Sequence, residues 1–285
     1  MYDEQLRIVL SQKIRGLLLG DYISLQLSAH GSDLEEKRKF RLGDDPHSID
    51  PLVTFKNVDR IPRVVIKRME KAANIIFLID CSPSTRFHAL GTEKYYYSLS
   101  FVENITLACQ GRGNRFRFIS CDQKVRLDSG FVTSAQSVEE VLSELHSIKS
   151  IDVTQTNLNH AFKKIRDEDL TLKPDASSII FVLSDFLFEP NFIPELTKLT
   201  EFSDSMLVQI LDPIEMNLPK IKLGFLKLRD MESGKTFIAK GSSNPLDTVL
   251  ASLKRYQIDL LTISSKDTMR ENLEKLIIKF EEKEA

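Results

Sequence analysis

The sequence predicts an α/β protein built on a doubly wound, mostly parallel sheet. Three observations carry this. Asn74–Asp80 (NIIFLID) and Ser177–Ser184 (SSIIFVLS) carry short, continuous apolar runs, the pattern of strands buried on both faces, and Met206–Leu211 reads as another buried strand. Between such runs the hydrophobic period changes to that of amphipathic helices, so strands alternate with helices. The first two runs lead directly into aspartates, Asp80 and Asp185, at the carboxyl edge where open α/β sheets bind ligands.

The totals bound the remaining possibilities. A length of 285 residues accommodates one large domain or two modest ones, and 42% hydrophobic residues exclude a mainly disordered chain. A net charge of −2 provides no basic field for nucleic acid or an anionic membrane. Cys81, Cys109 and Cys121 lie in or beside apolar runs and read as reduced, partly buried thiols of a cytoplasmic protein. No segment reaches the roughly 20 apolar residues of a membrane-spanning helix. The start, MYDEQLRIVL, lacks the basic region of a signal peptide.

Taken in order, Glu4–Leu19 has helical spacing at Leu6, Val9, Leu10, Ile14 and Leu17, with Gly20 as a stop. Tyr22–Ser28 reads as extended, and the charged run Glu35–Arg41 as a solvated loop. Gly43-Asp44-Asp45 and Asp50 are read as turn and capping residues. Arg63–Lys71 alternates apolar and basic residues, a strand or an extended lead-in to the central strand Asn74–Asp80. A helix follows over Glu93–Gln110, with Tyr97, Phe101, Ile105 and Ala108 inward. Next come a strand, Arg115–Ser120, and a hairpin through Asp122-Gln123 to Val125–Leu127.

Ser137–His146 reads as a helix with Ser137 as N-cap and Glu140 completing a capping box. The polar loop Asp152–Thr156 opens a helix that starts at Asn157 or Asn159 and runs to about Arg166. After the strand Ser177–Ser184 a helix follows Pro190 to Thr200, and Met206–Leu211 is the next strand. Phe225–Asp230 and Lys235–Ala239 flank Met-Glu-Ser-Gly as an added β-hairpin. Leu246–Tyr256 reads as a helix, Gln257–Ser264 as a strand and Thr268–Glu282 as a closing helix. The expected division is an N-terminal appendage, residues 1–71, and an α/β domain, residues 72–285.

The chemistry concentrates after the central strand. Asp80, Ser82 and Ser84 place a carboxylate and two hydroxyls at alternate positions, and Pro83 keeps them on a loop. These are hard oxygen ligands suited to Mg²⁺ or Mn²⁺. This D-x-S-x-S spacing resembles the metal-ion-dependent adhesion site of von Willebrand factor A (vWA) domains. That site also uses a threonine at a loop-to-helix junction and an aspartate after a later strand. Thr156 and Asp185 match those positions in order and context. The resemblance therefore implies a metal site of Asp80, Ser82, Ser84, Thr156 and Asp185.

Two further stretches narrow the resemblance. Arg38-Lys39-Phe40-Arg41-Leu42-Gly43-Asp44-Asp45 with Ile49-Asp50, and Asp230-Met231-Glu232-Ser233-Gly234, are similar to signatures of the bacterial "domain of unknown function 58" family. Pro51 stands where that family usually has tryptophan, Phe40 replaces tyrosine, and Thr154-Gln155 replaces a glycine pair. The resemblance implies a vWA-type protein-interaction module, working as adaptor or substrate-recognition factor for a MoxR-type AAA+ ATPase. A partner's Glu or Asp would complete the metal's coordination, with Arg86 and Phe87 as candidate rim residues.

Two alternatives stand beside this reading. One is a vWA scaffold with no metal bound. The other is a haloacid-dehalogenase-like phosphatase using Asp80; it is disfavoured because Ser82 occupies the place of the general acid/base aspartate. With no nucleophile elbow and no phosphate-binding P-loop, the expectation is a protein that is not an enzyme.

Overall fold

A computed structural model describes residues 33–40, 49, 55, 61–68, 73–110, 113–149, 156–172, 178–187, 191–200, 203–216, 226–229, 236–239, 253, 255, 256 and 258–284. The chain divides into two compact units, one of Leu19–Lys71 and one of Ala72–Ala285 with Met1–Leu18. Several expectations lie outside the described residues. They are the Glu4–Leu19 helix, the Tyr22–Ser28 segment, the Gly43-Asp44-Asp45 turn with Asp50, the Met231–Gly234 turn and most of the Leu246–Tyr256 helix.

In the smaller unit, Asp33–Lys39 (β1) and Arg63–Arg68 (β2) pair antiparallel, with an irregular register between Leu34 and Glu36. This corrects the loop expected over Glu35–Arg41. A charge run signals contact with water, but it says nothing about whether backbone N–H and C=O groups find partners. Here Arg63–Arg68 supplies them, so β2 belongs to a two-stranded sheet of its own.

Among the described residues, the larger unit starts with β3 (Asn74–Asp80), α1 (Lys94–Cys109), β4 (Arg115–Cys121), β5 (Val125–Val132) and α2 (Ala135–Ser147). Next come α3 (Asn159–Leu172), β6 (Ser178–Ser184), α4 (Ile193–Thr200), β7 (Asp204–Leu211) and the single turn α5 (Pro213–Met216). It ends with β8 (Leu226–Arg229), β9 (Thr236–Ala239), β10 (Leu260–Ser264) and α6 (Met269–Glu284). The main sheet has the order β10-β7-β6-β3-β4-β5, parallel throughout except for β5, which pairs antiparallel with β4. β8 and β9 form the expected separate antiparallel pair. The α/β class with a doubly wound, mostly parallel sheet is therefore the one observed.

The continuous apolar strands are explained by two covered faces. Successive side chains of a strand point to opposite sides. Ile75, Phe77 and Ile79 accordingly join a core with α1 and α6, whereas Ile76 and Leu78 join one with α3 and α4. On the first face, the Phe77 ring lies between Phe118 and Phe181 of the flanking strands, with centroids 5.4 and 5.5 Å away.

Local boundaries differ from the expected ones where hydrogen bonding intervenes. The N-cap of α2 is Ser134, not Ser137: the Ser134 hydroxyl accepts the Ser137 N–H at 3.0 Å. Glu140 instead accepts from Gln136, one turn earlier, so no capping box forms. β5 extends five residues beyond Leu127 because the ladder with β4 continues to Phe116 and Val132. All three cysteines are free, as expected, and more deeply buried than the partial burial expected; burial pushes the Cys81 thiol up to about 12.

Strand order determines where a ligand site can lie. The chain leaves β3 for β4 on one side and returns to β6 on the other, so the carboxyl ends of β3 and β6 flank a topological switch point.

Candidate functional site

Four neighbouring parallel strands each deliver an aspartate to the same edge. Across the sheet they are Asp122 after β4, Asp80 ending β3, Asp185 after β6 and Asp212 after β7, and all are buried. Burying a carboxylate demands a partner for its charge, and three of the four have one. Asp122 pairs with Arg126 at 2.7 Å and also accepts the Lys124 N–H. Asp185 pairs with Lys94 at 2.8 Å. One oxygen of Asp212 accepts the N–H groups of Ala89, Leu90 and Gly91, and the other accepts that of Ile214. Burial would raise Asp212, but these four donors hold it below the usual carboxylate range.

Asp80 is the exception. Its Oδ1 accepts the Ser82 N–H at 2.9 Å and its Oδ2 accepts the Ser184 hydroxyl at 2.5 Å. No lysine or arginine among the described residues pairs with it. Burial, reinforced by the neighbouring Asp185 charge, pushes Asp80 up to about 7 against the hydrogen bonds from Ser184 and Ser82.

The loop after β3 sets the hydroxyls. Cys81 donates its N–H to the Cys121 carbonyl at 2.9 Å, which prolongs the β3–β4 ladder to the start of the loop. Pro83 then opens a 3-10 turn, Pro83–Arg86, braced by the Thr85 hydroxyl on the Ser82 carbonyl at 2.7 Å. Ser82 and Ser84, two residues apart, hydrogen-bond to each other through their hydroxyls at 3.0 Å. Thr156 reaches the same edge from the loop before α3, because Asn157 donates its N–H to the Asp122 carbonyl at 3.0 Å. Thus all five residues expected at the site stand at the carboxyl ends of β3, β4 and β6. Asp185 differs from the rest in being paired internally.

Lys94 is the principal residue that the sequence reading missed. It lies in the first turn of α1, its side chain is 1% exposed, and its ammonium bridges Asp185 at 2.8 Å and Glu215 at 2.7 Å. Burial alone would depress this ammonium, but the two carboxylates outweigh it and raise Lys94 above its ordinary value. One sequence signal was available. A lysine in the first turn of a helix faces the positive end of the helix dipole, so it needs a compensating reason to be there.

Arg86 is also reassigned. Its guanidinium lies 3.8 Å over the Tyr95 ring, pairs with Glu93 at 2.9 Å and donates to the Ile148 carbonyl at 2.6 Å. It therefore rivets the start of α1 to the end of α2 instead of forming a free rim charge. Phe186, directly after Asp185, sits in the left-handed region at φ 50°, a conformation that costs a non-glycine residue about 1–3 kcal/mol. Its N–H on the Ser184 hydroxyl, at 3.1 Å, and its stacking on Phe192 hold it there.

The donor chemistry fits a hard divalent cation. No group of three or more His, Cys, Asp or Glu able to hold a metal occurs among the described residues, so such an ion would depend on hydroxyl oxygens. Asp80 supplies a buried carboxylate with no counter-charge among the described residues, and beside it lie Ser82 and Ser84, whose hydroxyls hydrogen-bond to each other. Oxygen ligands of this kind are those Mg²⁺ and Mn²⁺ accept.

A pH experiment follows from the Asp80 environment. Its folded-state value, about 7, lies above the ordinary 3.8, so the folded chain holds a proton that the unfolded chain has released. The resulting stabilisation is complete below the unfolded value and is lost as pH rises through about 7. In EDTA, wild type should therefore lose stability relative to Asp80→Asn between these values, at up to about 1.4 kcal/mol per pH unit. Denaturant titrations of both proteins at several pH values read the difference. Parallel pH profiles would show that folding does not raise Asp80 above its ordinary value.

Comparisons with known proteins agree with this architecture. The uncharacterized protein Rv1480 of Mycobacterium tuberculosis (strain ATCC 25618 / H37Rv) is 25% identical over 231 residues, covering 80% of this chain and 69% of its own. The conserved hypothetical protein BatB from Bacteroides thetaiotaomicron superposes with a TM-score of 0.50 at 12% identity, over 74% of this chain and all of that one. An aerotolerance-related membrane protein from Bacteroides fragilis NCTC 9343, solved with multiple mutations to serine, gives 0.51 at 9% identity with the same coverage. At such identities the likeness is one of fold. The family model described as protein of unknown function DUF58 matches residues 36–246, which take in the central strand, the hydroxyl loop and the aspartates at the sheet edge, and the chain belongs to that family.

Proposed function

We propose that this protein is a vWA-type, metal-dependent protein-interaction module. The observation that carries the reading is Asp80. Of four buried aspartates in a row it alone lacks a cation or a cluster of N–H donors among the described residues, and paired hydroxyls lie next to it. Asp80, Ser82 and Ser84 would hold Mg²⁺ or Mn²⁺, with Thr156 presented from the neighbouring loop. The cation supplies an electrophilic centre that a carboxylate from a protein partner can occupy.

The surroundings suit binding better than turnover. Leu90, Ile214 and Met216 are 61%, 39% and 39% exposed, and all three stand in segments joined by Asp212. Apolar surface near a carboxylate–metal contact excludes water and strengthens it. For the phosphatase alternative, Ser82 stands in the place of the general acid/base, and the Ser184 hydroxyl is engaged by Asp80. We therefore read the protein as a binder and not an enzyme. In this proposal it serves in the cytoplasm as adaptor or substrate-recognition factor for a MoxR-type AAA+ ATPase, a role that rests on the family resemblance. No helix among the described residues is long and apolar enough to cross a membrane.

The test is capture of a purified MoxR-type ATPase by the immobilised protein, in Mg²⁺ and again in EDTA. Binding should fall at least about tenfold in EDTA, a loss of about 1.4 kcal/mol or more. Equal binding in both would favour the metal-free scaffold. Phosphomonoester turnover that vanishes in Asp80→Asn would favour the phosphatase.

A further inference from the structure

We propose that Lys94 sets the charge of the site: by holding Asp185 it withholds that carboxylate from a cation at Asp80, Ser82 and Ser84, and so reserves the cation for an external carboxylate. This rests on the metal reading above and adds a residue that acts through Asp185.

The geometry gives Lys94 little freedom. The three residues Ala89, Leu90 and Gly91, just before α1, are tied to Asp212, and Thr92 donates its N–H to the Ser265 carbonyl at 3.1 Å. The first turn of α1 therefore starts from a fixed point. From there the Lys94 ammonium reaches Asp185 Oδ2 at 2.8 Å and Glu215 Oε1 at 2.7 Å, passing within 5.7 Å of the Phe87 ring centre. Asp185 is fixed in turn. Its Oδ1 accepts the Leu187 N–H at 3.2 Å, its backbone carbonyl accepts from Gln209 at 3.0 Å, and its side chain is fully buried. Both carboxylate oxygens of Asp185 are thus engaged by the chain itself.

Charge counting shows what this does. Once a cation displaces the Asp80 proton, Asp80, Asp185 and Glu215 contribute three negative charges and Lys94 one positive charge. A divalent cation then makes the group neutral, so an incoming carboxylate meets no net repulsion. Without Lys94 the loaded group would remain negative, Asp185 would be free to turn to the cation, and an external carboxylate would be disfavoured. Lys94 is a positioning residue in this scheme: it lowers cation affinity and preserves affinity for an anionic partner.

The experiment uses the full chain. Lys94→Gln removes the charge but keeps an N–H donor toward Asp185. By calorimetric titration it should bind Mn²⁺ about tenfold or more tightly than wild type, the direction expected when a positive charge paired with the neighbouring Asp185 is lost. The gain should disappear in Lys94→Gln with Asp185→Asn, because the carboxylate that produced it is gone. Sodium acetate, titrated into the Mn²⁺-loaded proteins and followed by electron paramagnetic resonance, should bind Lys94→Gln more weakly than wild type. If Lys94→Gln folds only with metal, the Mn²⁺ concentration that restores its melting transition gives the same comparison.

Wild type that loads with Mn²⁺ while Lys94→Gln binds it no more tightly, or takes acetate equally well, overturns the role of Lys94 and leaves the metal site standing. A wild type that takes no Mn²⁺ overturns the metal reading, and this inference with it.

Discussion

Lys94→Met should destabilise the fold by about 3–5 kcal/mol in denaturant unfolding with EDTA present, the loss typical of removing one partner from a buried ion pair. The side chains of Lys94 and Asp185 are 1% and 0% exposed, so water cannot replace the lost ammonium. Methionine fills similar volume, which leaves the stranded Asp185 charge, not a cavity, as the cause. The companion variant separates the two. Lys94→Met with Asp185→Asn removes both charges and should recover most of the loss, because exchanging a buried pair for neutral groups is often near neutral. If the double variant is no more stable than Lys94→Met, packing of the lysine stem is responsible and the ion pair is not.

Asp80→Ala and Ser82→Ala should each weaken Mn²⁺ binding by more than about 100-fold, beyond the 10–100-fold that outer-shell partners of a metal usually cost. Both residues stand where the chain leaves β3, and the strand itself is held by ladders to β4 and β6 on either side. Loss of binding should therefore come without loss of fold, as circular dichroism would show. Asp80→Ala also removes the carboxylate that burial and Asp185 disfavour, so in EDTA at pH 8 the variant should be no less stable than wild type. Calorimetric titration of the three proteins decides the matter. Equal affinities would move the ion, if one binds, to another part of the chain.

These outcomes separate what pattern reveals from what packing decides. Asn74–Asp80 and Ser178–Ser184 were legible as strands because a strand covered on both faces must be apolar at every position, and that leaves no polar period to misread. The mostly parallel sheet followed from helices alternating with strands, and with it the meeting of Asp80 and Asp185 at one edge, while the order of the strands came from the fold. The hydroxyl loop was equally readable, since Asp80, Ser82 and Ser84 are close in sequence and Pro83 keeps them out of the strand.

Long-range polar contacts were a different matter. Lys94 and Asp185 are 91 residues apart, Lys94 and Glu215 are 121 apart, and Ala89 lies 123 residues from the Asp212 that anchors its N–H. Nothing in the local composition of α1 links its first lysine to a carboxylate beyond β6. The paired strand Asp33–Lys39 escaped notice for a related reason: its backbone partner, Arg63–Arg68, lies beyond a long intervening stretch. Hydrophobic periodicity is a local property that each segment carries by itself, so the sequence alone determined the class, the strand alternation and the oxygen-rich loop. The neutralisation of a buried charge depends on which groups the finished fold brings within about 3 Å of one another. Only the tertiary structure could therefore decide that Asp185 is answered by Lys94 while Asp80 has no counter-charge among the described residues.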